Sequence, residues 1–210
     1  MIYISGGGNY LQSALLDKLF FERCEQILYI PIGLKRNFSG YEGCWEWFSL
    51  VCQKHHFSTN DVDMCLYLDE FDRLEKYDGI YIGGASDINV LYKMFSMSRF
   101  ANKLVTYFKN GGNIYGGSAG GVLLGQSLDL QNKRGLSILP FSVLSHYYGN
   151  EYRIDSYFNT NCHPLIVLHE DSGVVFDGKE IMSVGYSPTI VYFTRTDSVF
   201  LNGNCQKIII

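Results

Sequence analysis

Gly116-Gly117-Ser118-Ala119-Gly120 is the stretch of this chain with the most definite chemical content. It fits the pattern G-x-S-x-G in a context that suits a nucleophile: the apolar run 112–115 precedes it and the helix start Val122-Leu123-Leu124 follows. A serine on so sharp a strand-to-helix turn adopts a strained backbone conformation, and small residues on either side let the two chain arms pass. The turn lifts the hydroxyl above the carboxyl edge of a sheet. The amide of Ala119 faces the same space from a helix N-terminus, where it can donate to a developing oxyanion. A glycine-rich turn that holds a phosphate is the competing reading of these residues.

A serine hydroxyl attacks only when a base takes its proton, and the chain offers five histidines. His55 and His56 end an amphipathic stretch and are expected at the surface. His163 precedes Pro164 in a turn, and His169 closes an apolar run. His146 follows the apolar run 141–144, where a strand is expected to emerge at the carboxyl edge of the sheet. Position therefore favours His146 over its rivals His169 and His163. A third group must orient the imidazole and offset its charge. Glu170 and Asp171 lie just past the run 165–168 and are the candidates, with Asp129 and Asp155 as alternatives. Asp177 sits in an Asp-Gly turn and is expected to be solvated.

These residues need a frame. Strand-like runs at 2–5, 26–32, 62–68, 79–82 and 112–115 alternate with stretches at helical spacing over 10–20, 41–53, 88–95 and 100–108. Strands that end in glycine and feed helices predict an α/β fold, a parallel sheet with crossover helices on its faces. The last third changes character. Short runs at 165–168, 173–176, 180–185, 189–194 and 198–201 are broken by Asp177-Gly178 and Asn202-Gly203, which predicts hairpins extending or flanking the sheet. No repeat or linker interrupts the pattern, so a single domain over residues 1–210 is expected.

Composition narrows the function. With 47% apolar and 18% charged residues the chain can bury a sizeable core, and its net charge of −4 offers no surface for nucleic acid or an anionic membrane. No window approaches a membrane span. The start, Met1-Ile2-Tyr3-Ile4-Ser5, lacks the basic and apolar regions of a signal peptide, so a cytoplasmic protein is expected. Six scattered cysteines without C-x-x-C read as reduced core residues, and Cys162-His163 has no partner pair at metal-ligand spacing, so no metal or cofactor is expected. Gly6-Gly7-Gly8-Asn9-Tyr10-Leu11 follows a strand but fails G-x-G-x-x-G at Leu11. The aromatics are spread at core periodicity and read as packing.

The strand-GGSAGG-helix, the Leu139-Pro140 pair followed by His146, and the apolar-His169-Glu170-Asp171-Ser172 run together resemble the aspartyl dipeptidase (peptidase E) and cyanophycinase family of serine peptidases. The resemblance covers nearly the whole chain. It implies a flavodoxin-like three-layer α/β/α sandwich, akin to class I glutamine amidotransferases, with a mostly parallel sheet and C-terminal β-hairpins. It carries the nucleophile to Ser118, the base to His146 and the acid to Glu170. A second oxyanion amide would come from Gly84 or Ala85 in Gly83-Gly84-Ala85-Ser86, where relatives usually read Gly-Gly-Gly-Asn. That departure puts a methyl group and Ser86 near the substrate. Arg153, in a stretch resembling the family's arginine-bearing helix, would receive a substrate carboxylate. The implied activity is hydrolysis of small peptides, dipeptidase-like and with aspartyl preference in question. The expected partner is a small peptide, and homodimer formation is left open. A catalytically inactive binding or regulatory relative, and an amidase or acyl transferase with the same triad, are the alternatives.

Overall fold

Alternation along the strands decides how this chain is layered. The computed structural model describes residues 1–34, 40–71, 73–128 and 133–210. In chain order it runs β1 (Ile2–Ser5), α1 (Ala14–Phe21), β2 (Ile27–Ile30), α2 (Glu42–Lys54), β3 (Val62–Met64), β4 (Gly79–Ile82), α3 (Ile88–Met97), α4 (Phe100–Lys109), β5 (Asn113–Gly117) and α5 (Ala119–Leu124). There follow β6 (Ser142–Leu144), α6 (Glu151–Phe158), β7 (Leu165–Val167), β8 (Ser172–Phe176), β9 (Glu180–Gly185), β10 (Thr189–Tyr192), β11 (Ser198–Leu201) and β12 (Asn204–Ile209).

The main sheet has the order β12-β9-β8-β1-β5-β4-β2-β3. Strands β1, β5, β4, β2 and β3 are parallel. Strands β8, β9 and β12 join beyond β1 as an antiparallel extension. Successive side chains point to opposite faces. Ile2, Ile4, Ile80, Ile82 and Ile114 pack with Leu91, Phe95, Leu104 and Leu123 of α3, α4 and α5. On the other face Tyr3, Tyr115, Tyr81 and Tyr29 stand in register across four strands and pack with Phe20 of α1 and Phe48 of α2. The Tyr81 and Tyr115 rings stack at 4.2 Å, and Phe48 stacks on Tyr29 at 4.0 Å. Burying a side chain of this size stabilises the fold by roughly 2–3 kcal/mol. Helices thus cover both faces of the sheet, giving the mixed α/β architecture that the alternating pattern predicts.

In the C-terminal third the expected hairpins are β8–β9, which extends the main sheet, and β10–β11, which lies in another. A second sheet, β11-β10-β7-β6, forms beside the first, and its β6–β7 pair is parallel. His146 therefore leaves a strand of this second sheet, not one of the main sheet. The stretch 62–68 is strand only over β3, because Leu68 already begins a 3-10 turn. Strand β12 follows the Asn202-Gly203 turn and closes the sheet edge. Four cysteines are buried as expected, but Cys162 and Cys205 are exposed. His55 is half-buried rather than at the surface, its ring stacked on Phe21 at 5.3 Å. Burial first, then the Lys54 charge, holds its imidazole below the usual pKa.

Candidate active site

The central neighbours β1 and β5 run parallel and end side by side, so the turns that follow them share one edge of the sheet. The β5 turn is built for close passage. A Cβ on Gly116 would lie 2.7 Å from Gly121 backbone atoms, and one on Gly120 would lie 2.5 Å from the Ile82 carbonyl oxygen. Ser118 between them has φ 49° and ψ −112°, a conformation that costs an L-residue on the order of 1–3 kcal/mol. Its neighbours hold it there. The Ser118 amide donates to Ser5 O at 3.1 Å, and its carbonyl accepts from the Gly121 and Val122 amides at 2.9 and 3.0 Å.

His146 reaches this hydroxyl from the second sheet. It also has positive φ, 52°, and its amide donates to the Gly6 carbonyl at 3.0 Å, tying it to the β1 turn. Ser118 Oγ lies 2.7 Å from His146 Nε2, and His146 Nδ1 lies 2.9 Å from Glu170 Oε1. Glu170 leaves β7 on the residues that lead into β8. Its carboxyl is held below the ordinary range chiefly by the Tyr148 hydroxyl and next by His146, with Gln12 contributing less. An ionised carboxylate only accepts, so Nδ1 carries the proton and a neutral ring presents Nε2 as acceptor to the Ser118 O–H. The arrangement can move a proton off the serine and stabilise the imidazolium that results.

The other residues singled out by sequence fall into place around this relay or away from it. A Cβ on Gly84 would lie 3.8 Å from the Ser118 Cβ, so that turn abuts the serine. No described group accepts from the amides of Ala119, Gly84 or Ala85. Ala85 directs its methyl toward Gly33, and exposed Ser86 donates its amide to Gly33 O at 3.0 Å. Arg153, half-buried on α6, donates through Nη1 to the carbonyl of Ser145 at 3.4 Å. It lines a cavity of about 250 Å³ with Ile88, Val122, Ser145 and Tyr157, a lining that does not include Ser118, His146 or Glu170. A larger cavity of about 780 Å³ lies at the opposite edge of the sheet, by Asp78 and Asn113, away from this chemistry.

Among the described residues, no rival takes the place of His146 or Glu170 in this relay. The His169 ring packs edge-on against Tyr147 at 5.4 Å, and His163 is exposed. Asp155 pairs with Arg195 at 2.8 Å, Asp171 accepts the Tyr186 amide through its carbonyl, and Asp177 caps its turn by accepting from Lys179 and Glu180. Asp129 lies outside the described residues. Sequence reasoning missed Tyr148 and Gln12, both placed against Glu170. No local pattern points to either, because each meets Glu170 only once the chain is folded.

The chain aligns with a peptidase from an acI-B1 Actinobacterium with a TM-score of 0.74 at 18% identity, covering 100% of this chain and 96% of that one. It is similar also to a protein assigned as a peptidase E from Listeria monocytogenes EGD-e, with a TM-score of 0.62 at 16% identity over 89% of this chain and 98% of that one. At these identities the likeness is one of fold. No curated protein matches the chain. No helix among the described residues is long and apolar enough to cross a membrane. The family model of peptidase family S51 matches residues 1–184, and the chain belongs to that family of serine peptidases.

Proposed function

We propose that this serine peptidase hydrolyses small peptides in a dipeptidase-like reaction, with Ser118 as nucleophile, His146 as general base and acid, and Glu170 as the group that orients the imidazole. The observation that carries this reading is the continuous relay from Ser118 Oγ to His146 Nε2 at 2.7 Å and from His146 Nδ1 to Glu170 Oε1 at 2.9 Å.

In the first step Ser118 Oγ attacks the scissile carbonyl while His146 Nε2 takes its proton. Glu170, accepting from Nδ1–H, offsets the charge on the ring. The carbonyl oxygen becomes an oxyanion, for which the amide of Ala119 and that of Gly84 or Ala85 are the proposed donors. Losing one such donor typically costs about 3 kcal/mol of barrier. The imidazolium then protonates the leaving amine. Water then enters and gives a proton to Nε2 as its oxygen bonds to the acyl carbon, and the imidazolium returns that proton to Ser118 Oγ as the ester bond breaks and the acid leaves.

Substrate selection is proposed to involve the cavity lined by Arg153 and by Ser145, the chain neighbour of His146, where Arg153 is the cation that a carboxylate side chain would meet. An arginine fork pairs well with a carboxylate, which makes peptides with N-terminal aspartate the first to test. Ser86, at the departure from Gly-Gly-Gly-Asn, lies on the same rim of the sheet as Gly84. Six free thiols support a reducing, cytoplasmic setting.

The test is a dipeptide panel varied at the first residue, run on the wild type, Ser118→Ala and Arg153→Ala. Hydrolysis lost in Ser118→Ala and an aspartyl preference lost in Arg153→Ala are the expected results. Activity that survives Ser118→Ala would remove the nucleophile from the account. An added amine acceptor reports acyl transfer through the distribution of products.

A further inference from the structure

The glycine turn after β1 fails the dinucleotide pattern, yet it is shaped closely around two side chains. Gly6 gives its carbonyl to the His146 amide at 3.0 Å. Gly7 has φ +113°, and a Cβ there would lie 2.2–2.8 Å from three atoms of the His146 imidazole. Gly8 has φ +82°, and a Cβ there would lie 2.8 Å from Gln12 Oε1 and 3.0 Å from the Glu170 Cβ. The glycines remove side chains so that the ring and the carboxylate can rest on bare backbone.

Gln12 ties this turn to the acid. The Asn9 side chain accepts from the Leu11 and Gln12 amides at 2.9 and 3.2 Å, which fixes where the Gln12 side chain starts. Gln12 Oε1 accepts from the Asn9 amide at 3.0 Å, and Nε2 donates to Glu170 Oε2 at 3.5 Å. The amide orientation is forced, because Asn9 N–H can only donate and an ionised carboxylate can only accept. Glu170 thus spends one oxygen on His146 and the other on Gln12. A carboxylate tethered at one oxygen swings about its last bond. Tethered at both, it keeps Oε1 facing Nδ1, and a bond of 3.5 Å in the free enzyme leaves room to tighten when substrate binds. The Tyr148 hydroxyl also lies against Glu170, from the loop that carries His146.

We infer that Gln12 is a positioning residue of this peptidase, holding the second carboxylate oxygen of Glu170 so that the first stays in line with His146. The inference rests on the Ser118–His146–Glu170 reading above.

The experiment measures inactivation by a fluorophosphonate probe as a function of pH, separating kinact from KI, in the wild type, Gln12→Glu, Gln12→Met and Ser118→Ala. Gln12→Glu keeps an oxygen for the Asn9 amide, so it preserves the turn, but it sets a like charge where the donor stood. The expected result is a fall in kinact of about tenfold, the worth of a hydrogen bond to a charged group, with KI unchanged. The acidic limb should move to higher pH, since a like charge raises a carboxyl pKa and the relay needs Glu170 ionised. Wild-type kinact and an unmoved limb in Gln12→Glu would overturn the inference and leave Gln12 a turn-closing residue. Should Gln12→Glu not fold, Gln12→Met carries the test: a tenfold lower kinact at unchanged KI in folded protein supports the positioning role, and wild-type kinact overturns it. Labelling that persists in Ser118→Ala would instead break the triad reading, so the two failures are distinguishable.

Discussion

Two glycine-rich turns stand side by side at the carboxyl edge of the main sheet, and glycine does opposite things in them. After β5 the glycines let backbone pass backbone, Gly116 against Gly121 and Gly120 against Ile82, and the strain falls on the one side chain between them. After β1 the glycines themselves take the positive φ angles, at Gly7 and Gly8, and the space they leave is filled by His146 and Glu170 from elsewhere in the chain and by Gln12 of the same turn. One turn presents a side chain and the other receives two. A glycine run after a strand need not bind a ligand. It can be the negative shape of a side chain contributed by another element.

Substitutions at four positions test this contrast. The largest effect is expected at the presenting turn. Ser118→Ala should lower peptide hydrolysis by about 10⁴-fold or more, measured against the wild-type kcat/KM. Ser118→Gly should be equally inactive yet more stable by about 1 kcal/mol in chemical denaturation, because glycine relieves the positive φ. If Ser118→Gly is instead less stable, the strain assigned to this turn is not there.

Next comes the acid resting on the receiving turn. Glu170→Gln keeps the shape of the side chain and loses the charge that stabilises the imidazolium, and a fall in kcat of about 10²–10⁴-fold is expected. A kcat within twofold of wild type would mean that another group orients His146. Gly7→Ala follows. Its new methyl would collide with the His146 ring, and displacing a catalytic group by about 1 Å costs about 100-fold. Stopped-flow or steady-state rates on protein whose circular dichroism is unchanged would check this. An unaltered rate would show that the ring does not depend on the bare backbone beneath it.

The smallest effect lies under both turns and concerns stability alone. Asp17 of α1 is fully buried beside Tyr115 and Ser13, and burial lifts its carboxyl from 3.8 to about 7. Between these values the folded chain holds a proton that the unfolded chain has released. The protonated group's contribution is complete below pH about 4 and is lost as pH rises toward 7. Asp17→Asn should therefore gain on the order of 4 kcal/mol over the wild type at pH 8 and little at pH 4, read from urea midpoints. Equal midpoint changes at both pH values would contradict a raised carboxyl.

Much of this was legible in the residues, and the losses have physical reasons. Parallel strands buried on both faces announce themselves as apolar runs ending in glycine, so β1, β2, β4 and β5 could be read directly, as could the Ser118 turn. His146 was selected by position, although the expected strand belongs to the second sheet. That error followed from β6, whose three residues are too short for periodicity to say which sheet receives them. Gln12 and Tyr148 were invisible for another reason. Each acts on Glu170, and Gln12 does so across 158 positions, a contact that folding creates and no local pattern encodes. His55 looked solvated because a helix end beside Lys54 usually is, yet Phe21 from α1 covers its ring.

The most direct measurement of the central claim is mass mapping of the site that a fluorophosphonate modifies on the folded protein. A single adduct on Ser118, formed in the wild type and nearly abolished in His146→Ala, is the predicted result. A folded wild type that takes up no adduct, or takes it up on a residue other than Ser118, would contradict the account.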